Sequence, residues 1–206
     1  MKTIVKRQIV AIVLFLICVI PVLAQGYTRG HFSVGWQYGS PFATDFADNP
    51  SGYGMSFDGG YYINPFLSVG GFVSFQRNYE YVPRATYPVG ETGSVTTDQQ
   101  HCLHQIPFGA YLRYRLFTGT FQPFFGIKAG ANYMYAYSDL PTARYYDDTW
   151  GFHLSPEIGV AIFPFKDSRL GFNIAGYYSY STNQSKIFSY DMNGVNNAGF
   201  RLGLIF

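Results

Sequence analysis

From residue 31 onward bulky apolar and small or polar residues alternate with period two, in eight successive segments. Phe32, Val34, Trp36 and Tyr38 alternate with Ser33, Gly35 and Gln37. Tyr53, Met55, Phe57, Tyr61 and Ile63 alternate with Gly54, Ser56, Asp58 and Gly60. Leu67, Val69, Val73 and Phe75 oppose Ser68, Gly70, Ser74 and Gln76, and Ile106 to Leu116 oppose Gln105, Gly109, Arg113 and Arg115. The same pattern returns in 125–135, 150–162, 170–179 and 198–206. Successive side chains of a strand point to opposite faces, so this period predicts eight strands, each half apolar. An even number of strands with tight turns on one side predicts an all-β, antiparallel, up-and-down barrel.

Bulk decides which face points in. A soluble barrel of this size fills its interior with large side chains. Here the large residues share one face, and the other carries Gly, Ser, Asn, Arg, Lys and Glu. That division fits a transmembrane β-barrel with lipid outside. The connections also alternate. Asn64-Pro65, 117–122 and 164–168 read as short turns, while 39–51, 80–100, 138–149 and 182–194 read as long polar loops. Outer-membrane barrels place short turns in the periplasm and long loops outside, which puts both termini on the periplasmic side. Tyr79, Tyr133, Tyr135, Tyr137, Tyr178 and Tyr180 form the girdle expected near the loops. Phe66, Phe117, Phe121, Phe124 and Phe165 form the one near the turns. Pro107 and Pro156 fall inside strands and predict a bulge or a strand end at each, because proline cannot donate to a ladder.

Composition sharpens this. Aromatic residues make up 20% of the chain and charged residues 13%, about half the usual charged share. Past residue 24 no apolar run is long enough for a spanning helix, and the closed barrel is the other fold that satisfies every backbone group in lipid. Residues 1–24 differ from the rest. Lys2, Lys6 and Arg7 precede the apolar run Ile9–Ile20, and Val22-Leu23-Ala24 ends in a small residue. That is the layout of a signal peptide, with cleavage expected between Ala24 and Gln25 and a barrel domain over 25–206. The apolar run is shorter than the roughly 20 residues of a membrane anchor, and large Leu16-Ile17 argue against a lipid-modified Cys18. Without Lys2, Lys6 and Arg7 the 14 cations become 11 against 12 acids, a net charge of −1 in place of +2. This balance excludes a basic nucleic-acid surface. Cys102 alone remains, so no internal disulfide forms.

Ile106-Pro107-Phe108 with Arg113-Tyr114-Arg115, Gln122-Pro123-Phe124-Phe125-Gly126 with Ala129-Gly130, and the last strand Gly199–Phe206 carry a resemblance. The chain resembles the small eight-stranded outer-membrane barrels, the group of the OmpA membrane domain and OmpX. More narrowly it is similar to the outer membrane protein beta-barrel domain proteins of Bacteroidetes, which include relatives of PorT. The resemblance covers 27–206. It implies a location in the bacterial outer membrane, with lipid and the barrel-assembly machinery as partners. Phe206, an aromatic ending an alternating strand, is the expected assembly signal.

On the inward face Asp58, Arg113, Arg115, Lys128, Glu157 and Arg201 predict a structural ion network that fills the lumen, since buried charges persist only when paired. His153, Ser155 and Glu157 share one side of a strand and raise an alternative, a lipid-modifying acyl hydrolase, which resembles the lipid A deacylases in using a His, a Ser and an acid. Against it stand the lumen-facing position and the role of Glu157 as a counter-ion. His101 and His104 point to opposite sides, so His101, Cys102 and His104 do not make a metal site; no cofactor is expected. The reading is a non-enzymatic envelope-structural or surface-interaction protein acting through its external loops. A secretion or transport accessory, with a partner of unspecified identity, is a further alternative.

Overall fold

A computed structural model describes residues 29–42, 46–89, 93–141, 143–164, 169–187 and 189–206. The expected signal peptide, its cleavage point at Ala24 and Gln25, and Phe165 lie outside these residues.

Eight antiparallel strands close into one barrel in chain order. They are β1 (Gly30–Phe42), β2 (Asn49–Tyr62), β3 (Leu67–Val89), β4 (Gly93–Arg115), β5 (Phe121–Asp139), β6 (Arg144–Ile162), β7 (Gly171–Ile187) and β8 (Tyr190–Ile205). Period-two alternation is cleanest in β7, where every second residue from Gly171 to Ile187 is buried and the others are exposed. The exposed partners Phe172, Ile174, Tyr178 and Tyr180 belong to an apolar outer wall that also includes Trp36, Phe108, Ile127, Phe152 and Leu202. Ser, Gln, Asn and charged side chains fill the interior. β1 and β8 close the cylinder from Ser33↔Ile205 to Phe42↔Asn196, and Phe32 and Phe206 exchange both backbone hydrogen bonds, at 3.1 and 2.8 Å.

The long loops of the sequence reading are mostly strand. β3 and β4 stay paired to Val89↔Gly93, so 80–100 is a hairpin. β5 and β6 pair to Asp139↔Arg144, and β7 and β8 to Ile187↔Tyr190. The asymmetry between the two ends therefore lies in strands that outrun the membrane. The alternation of these outer stretches was masked by polar residues on both faces.

The two prolines make no bulge. Pairing of β3 with β4 lapses between Val73↔Phe108 and Gln76↔Gln105 and resumes in the same register. Pairing of β6 with β7 lapses between Leu154↔Tyr180 and Glu157↔Tyr177 in the same way. Each proline drops ladder bonds toward one neighbour and remains paired with the other, Pro107 with Asn132 and Pro156 with Ile127. Phe124 also departs from expectation: it is 1% exposed and faces the lumen, because Phe125 beside it takes the outward position.

A seam runs along the wall at the end away from the termini, called the far end below. Among the described residues the β6–β7 ladder stops at His153↔Ser181, and the β7–β8 pairing shifts register between Ser181 and Gln184. Side chains close the gap. The Phe152 amide donates to Thr182 Oγ1 at 2.9 Å, Asn183 Nδ2 to the Thr149 carbonyl at 2.9 Å, and Ser185 Oγ to Asp147 Oδ2 at 2.7 Å.

Candidate functional site: the lumen and its far mouth

Inward positions on five strands bring Asp58 (β2), Arg113 (β4), Lys128 (β5), Glu157 (β6) and Arg201 (β8) together. Lys128 Nζ lies 2.7 Å from Asp58 Oδ1 and 3.3 Å from Glu157 Oε2. Arg201 donates to Glu157 Oε2 at 2.6 Å and to Gln37 Oε1 at 2.8 Å. Arg113 approaches Asp58 and Glu157 at 4.0 and 3.7 Å, in ion-pair rather than hydrogen-bond range. All five side chains are buried.

Three cations face two carboxylates, an excess of one positive charge. Aromatic faces offset it. The Arg201 guanidinium lies 3.9 Å from the Tyr177 ring centroid, Arg113 lies 4.2 Å from Phe124, and the Lys128 ammonium lies 5.6 Å from Phe72. Each cation so gains the attraction of a ring quadrupole away from water. The sequence reading missed these rings because it took apolar side chains as outward.

Arg115 belongs elsewhere. It shares the inward parity of Arg113 but sits at the end of β4, two residues nearer the termini. There it donates to the Pro65 carbonyl and, at 2.9 Å, to Gln122 Oε1, and its guanidinium lies 4.1 Å from the Tyr62 ring centroid. Next to it the Tyr111 hydroxyl contacts His31 Nε2. This group sits at the near end of the lumen.

His153, Ser155 and Glu157 do share one face, and all three are buried. They do not form a relay. His153 Nδ1 contacts Ser181 Oγ at 2.9 Å, Ser155 Oγ donates to the Tyr178 carbonyl at 2.9 Å, and Glu157 is held by the cations. A nucleophile needs its base within hydrogen-bond reach, and here each hydroxyl and ring is engaged with another partner.

His101 and His104 point to opposite faces. His101 is inward and buried, 3.1 Å from Gln99 Oε1. Cys102 and His104 face outward, where Arg77 Nη2 lies 3.5 Å from Cys102 Sγ and 3.4 Å from the Tyr137 hydroxyl.

At the far mouth the interior changes character. Leu103, Met134, Ala136, Ile187, Met192 and Val195 form a buried apolar cluster. Phe46 and Ala47, from the β1–β2 connection, belong to it, and Phe46 stacks on His101 with ring centroids 4.2 Å apart and planes 13° apart. Tyr190 meets Phe46 edge-on at 5.9 Å. No period in the sequence marks Phe46, which belongs to a connection. The inward parity of Leu103, Met134 and Ile187 was the available signal.

Charged and aromatic side chains thus pack the middle of the described lumen and apolar ones its far mouth, with an apolar wall around it. The sequence pattern of the outer membrane protein beta-barrel domain matches residues 10–206. The chain belongs to that family. Its place is the bacterial outer membrane, as an integral β-barrel. Among solved structures, Neisserial surface protein A is similar over 88% of this chain and 98% of its own, at 16% identity and a TM-score of 0.54. The outer membrane protease OmpT of Escherichia coli is similar over 86% of this chain and 95% of its own, at 9% identity and a TM-score of 0.51. The attachment invasion locus protein Ail of Yersinia pestis is aligned over 87% of this chain and 99% of its own, at 15% identity and a TM-score of 0.45. At such identities the likeness is one of fold. No curated protein matches the chain.

Proposed function

We propose that this barrel is a non-enzymatic surface protein, with its termini in the periplasm and its far end outside the cell, acting chiefly through the β3–β4 hairpin. The length of that hairpin carries the reading. Both strands have 23 residues, against the about 9–11 that a tilted strand needs to cross the bilayer. More than half of each is left to project, as a paired ribbon rather than a loose loop. Tyr81 and Arg84 are exposed along it, and the Thr86 and Thr96 hydroxyls meet across it at 2.8 Å. A rigid scaffold that presents a polar, aromatic projection suits recognition at the cell surface. The lumen supports the same reading, since charged and aromatic side chains pack its section where a channel would run.

Two measurements test this. In planar bilayers the purified barrel gives no large stable conductance; reproducible large channels would overturn the plugged reading. In cells lacking the gene, the full chain is compared with a variant in which a two-residue turn replaces 82–97. The trimmed barrel assembles in the outer membrane but fails to restore surface attachment. If it restores every phenotype as well as the full chain, the hairpin is not the functional element.

A further inference from the structure

We propose that the far mouth is a binding site for a small planar aromatic molecule with a hydrogen-bonding group, and that Phe46 occupies this site in the ligand-free protein. The inward face is polar through the middle of the barrel and turns apolar at the mouth, where Leu103, Met134, Ala136, Ile187, Met192 and Val195 converge. Open to water, such a ring of side chains would be costly. Among the described residues, Phe46 and Ala47 of the β1–β2 connection pack into it.

The seat of that ring has specific shape. His101 lies parallel to it at 4.2 Å and Tyr190 meets it edge-on at 5.9 Å. These are the stacked and T-shaped geometries that aromatic rings prefer. Met134 and Met192 supply adaptable walls that tolerate ligands of different outline. Polar groups lie beside the ring. Among the described residues His101 Nδ1 and Gln99 Nε2 have no hydrogen-bond partner, and their residues are 0% and 1% exposed. Phe46 has nothing to offer them. A planar ligand larger than a phenyl ring, with a polar group at its rim that reaches past the edge of the stacked imidazole, does.

The backbone next to Phe46 points the same way. Ala47 has φ of 61°, a left-handed conformation rarely taken by a residue with a Cβ. Contacts on both sides hold it there, the packed ring of Phe46 and the bond from the Asp48 amide to Glu80 Oε2 at 3.0 Å. Insertion of Phe46 thus works against local backbone preference, which lowers the cost of its exchange for another ring.

Indole serves as the probe. The folded protein, in lipid nanodiscs, carries isotope-labelled methionine methyls. Met134 and Met192 report on the mouth, and Met55, exposed on the outer wall, reports partition of the probe into lipid. Expected is a saturable shift of Met134 and Met192 with Met55 unmoved. Phe46→Ala, which removes the competing ring, should bind indole roughly tenfold more tightly, and Phe46→Trp should not bind it. Shifts at Met55 that match those at the mouth would overturn the proposal. So would the absence of a saturable shift in the wild-type protein, even if Phe46→Ala bound indole, because Phe46 would then be a permanent plug. The wild-type titration stands without the variants should either fail to fold.

Discussion

Lys128 Nζ and Asp58 Oδ1 lie 2.7 Å apart, and neither side chain is more than 2% exposed. Without Lys128, Asp58 loses its one contact within hydrogen-bond range among the described residues and keeps only Arg113, at 4.0 Å; without Asp58, three buried cations share Glu157. Lys128→Met should destabilise the barrel by about 3–5 kcal/mol, measured by urea unfolding in detergent. Lys128→Met with Asp58→Asn removes one charge of each sign and should recover much of the loss. A double variant as unstable as the sum of its singles would show that the two groups act independently.

Asn183 is the middle link of the β6–β7 seam. Its side chain accepts from Asn132 Nδ2 at 2.8 Å and donates to the Asn132 carbonyl at 3.1 Å and the Thr149 carbonyl at 2.9 Å. Asn183→Ala strips these partners and should cost about 1–3 kcal/mol. Hydrogen exchange should locate the effect. Amides of 147–152 and 182–185 should exchange faster in the variant, while the β4–β5 ladder is unchanged. Uniform acceleration across the barrel would assign Asn183 a global role instead.

Barrel closure leaves no room at Gly199. It faces Gly39 across the β1–β8 pairing, and a Cβ there would overlap the Tyr38 carbonyl oxygen. Gly199→Val should sharply reduce the fraction of chains that reach the compact, heat-modifiable form on electrophoresis. Gly176→Ala, whose added Cβ has its nearest neighbour at 4.0 Å, is the control and should assemble normally. Loss of Phe206 removes both bonds to Phe32 and should slow assembly in the same assay. Equal yields for all variants would argue that closure is not limiting.

Eight strands, their order and their facing were legible because lipid forces strict alternation. Where that pressure ends, legibility ends too. The outer parts of β3 and β4 have polar residues on both faces, so a paired ribbon read as a loop. Arg113 and Arg115 have the same parity, but parity gives no depth along the barrel axis, and only Arg113 reaches the charge cluster. Phe124, next to outward Phe125, had to point in. It was grouped with the girdle because an aromatic near a turn suggests an interface. Phe46 left no periodic trace, since its position depends on the partners a connection finds in three dimensions.

Mass spectrometry of the mature protein tests the reading of residues 1–24. The expected N-terminus is Gln25, after loss of Lys2, Lys6 and Arg7. An intact N-terminus in the membrane-inserted protein would replace the cleaved leader by a retained segment.

The five-membered charge cluster bears on how the sheet winds shut. Its members come from β2, β4, β5, β6 and β8, so no single hairpin holds the whole set. Until Arg201 arrives on the last strand, Glu157 lacks its 2.6 Å partner and the growing interior is incomplete. The final strand therefore meets a carboxylate that takes its guanidinium at hydrogen-bond distance, as well as a free edge. The lumen so ties the last strand to the sixth, past the strand between them, and closure is held from inside as well as along the edges.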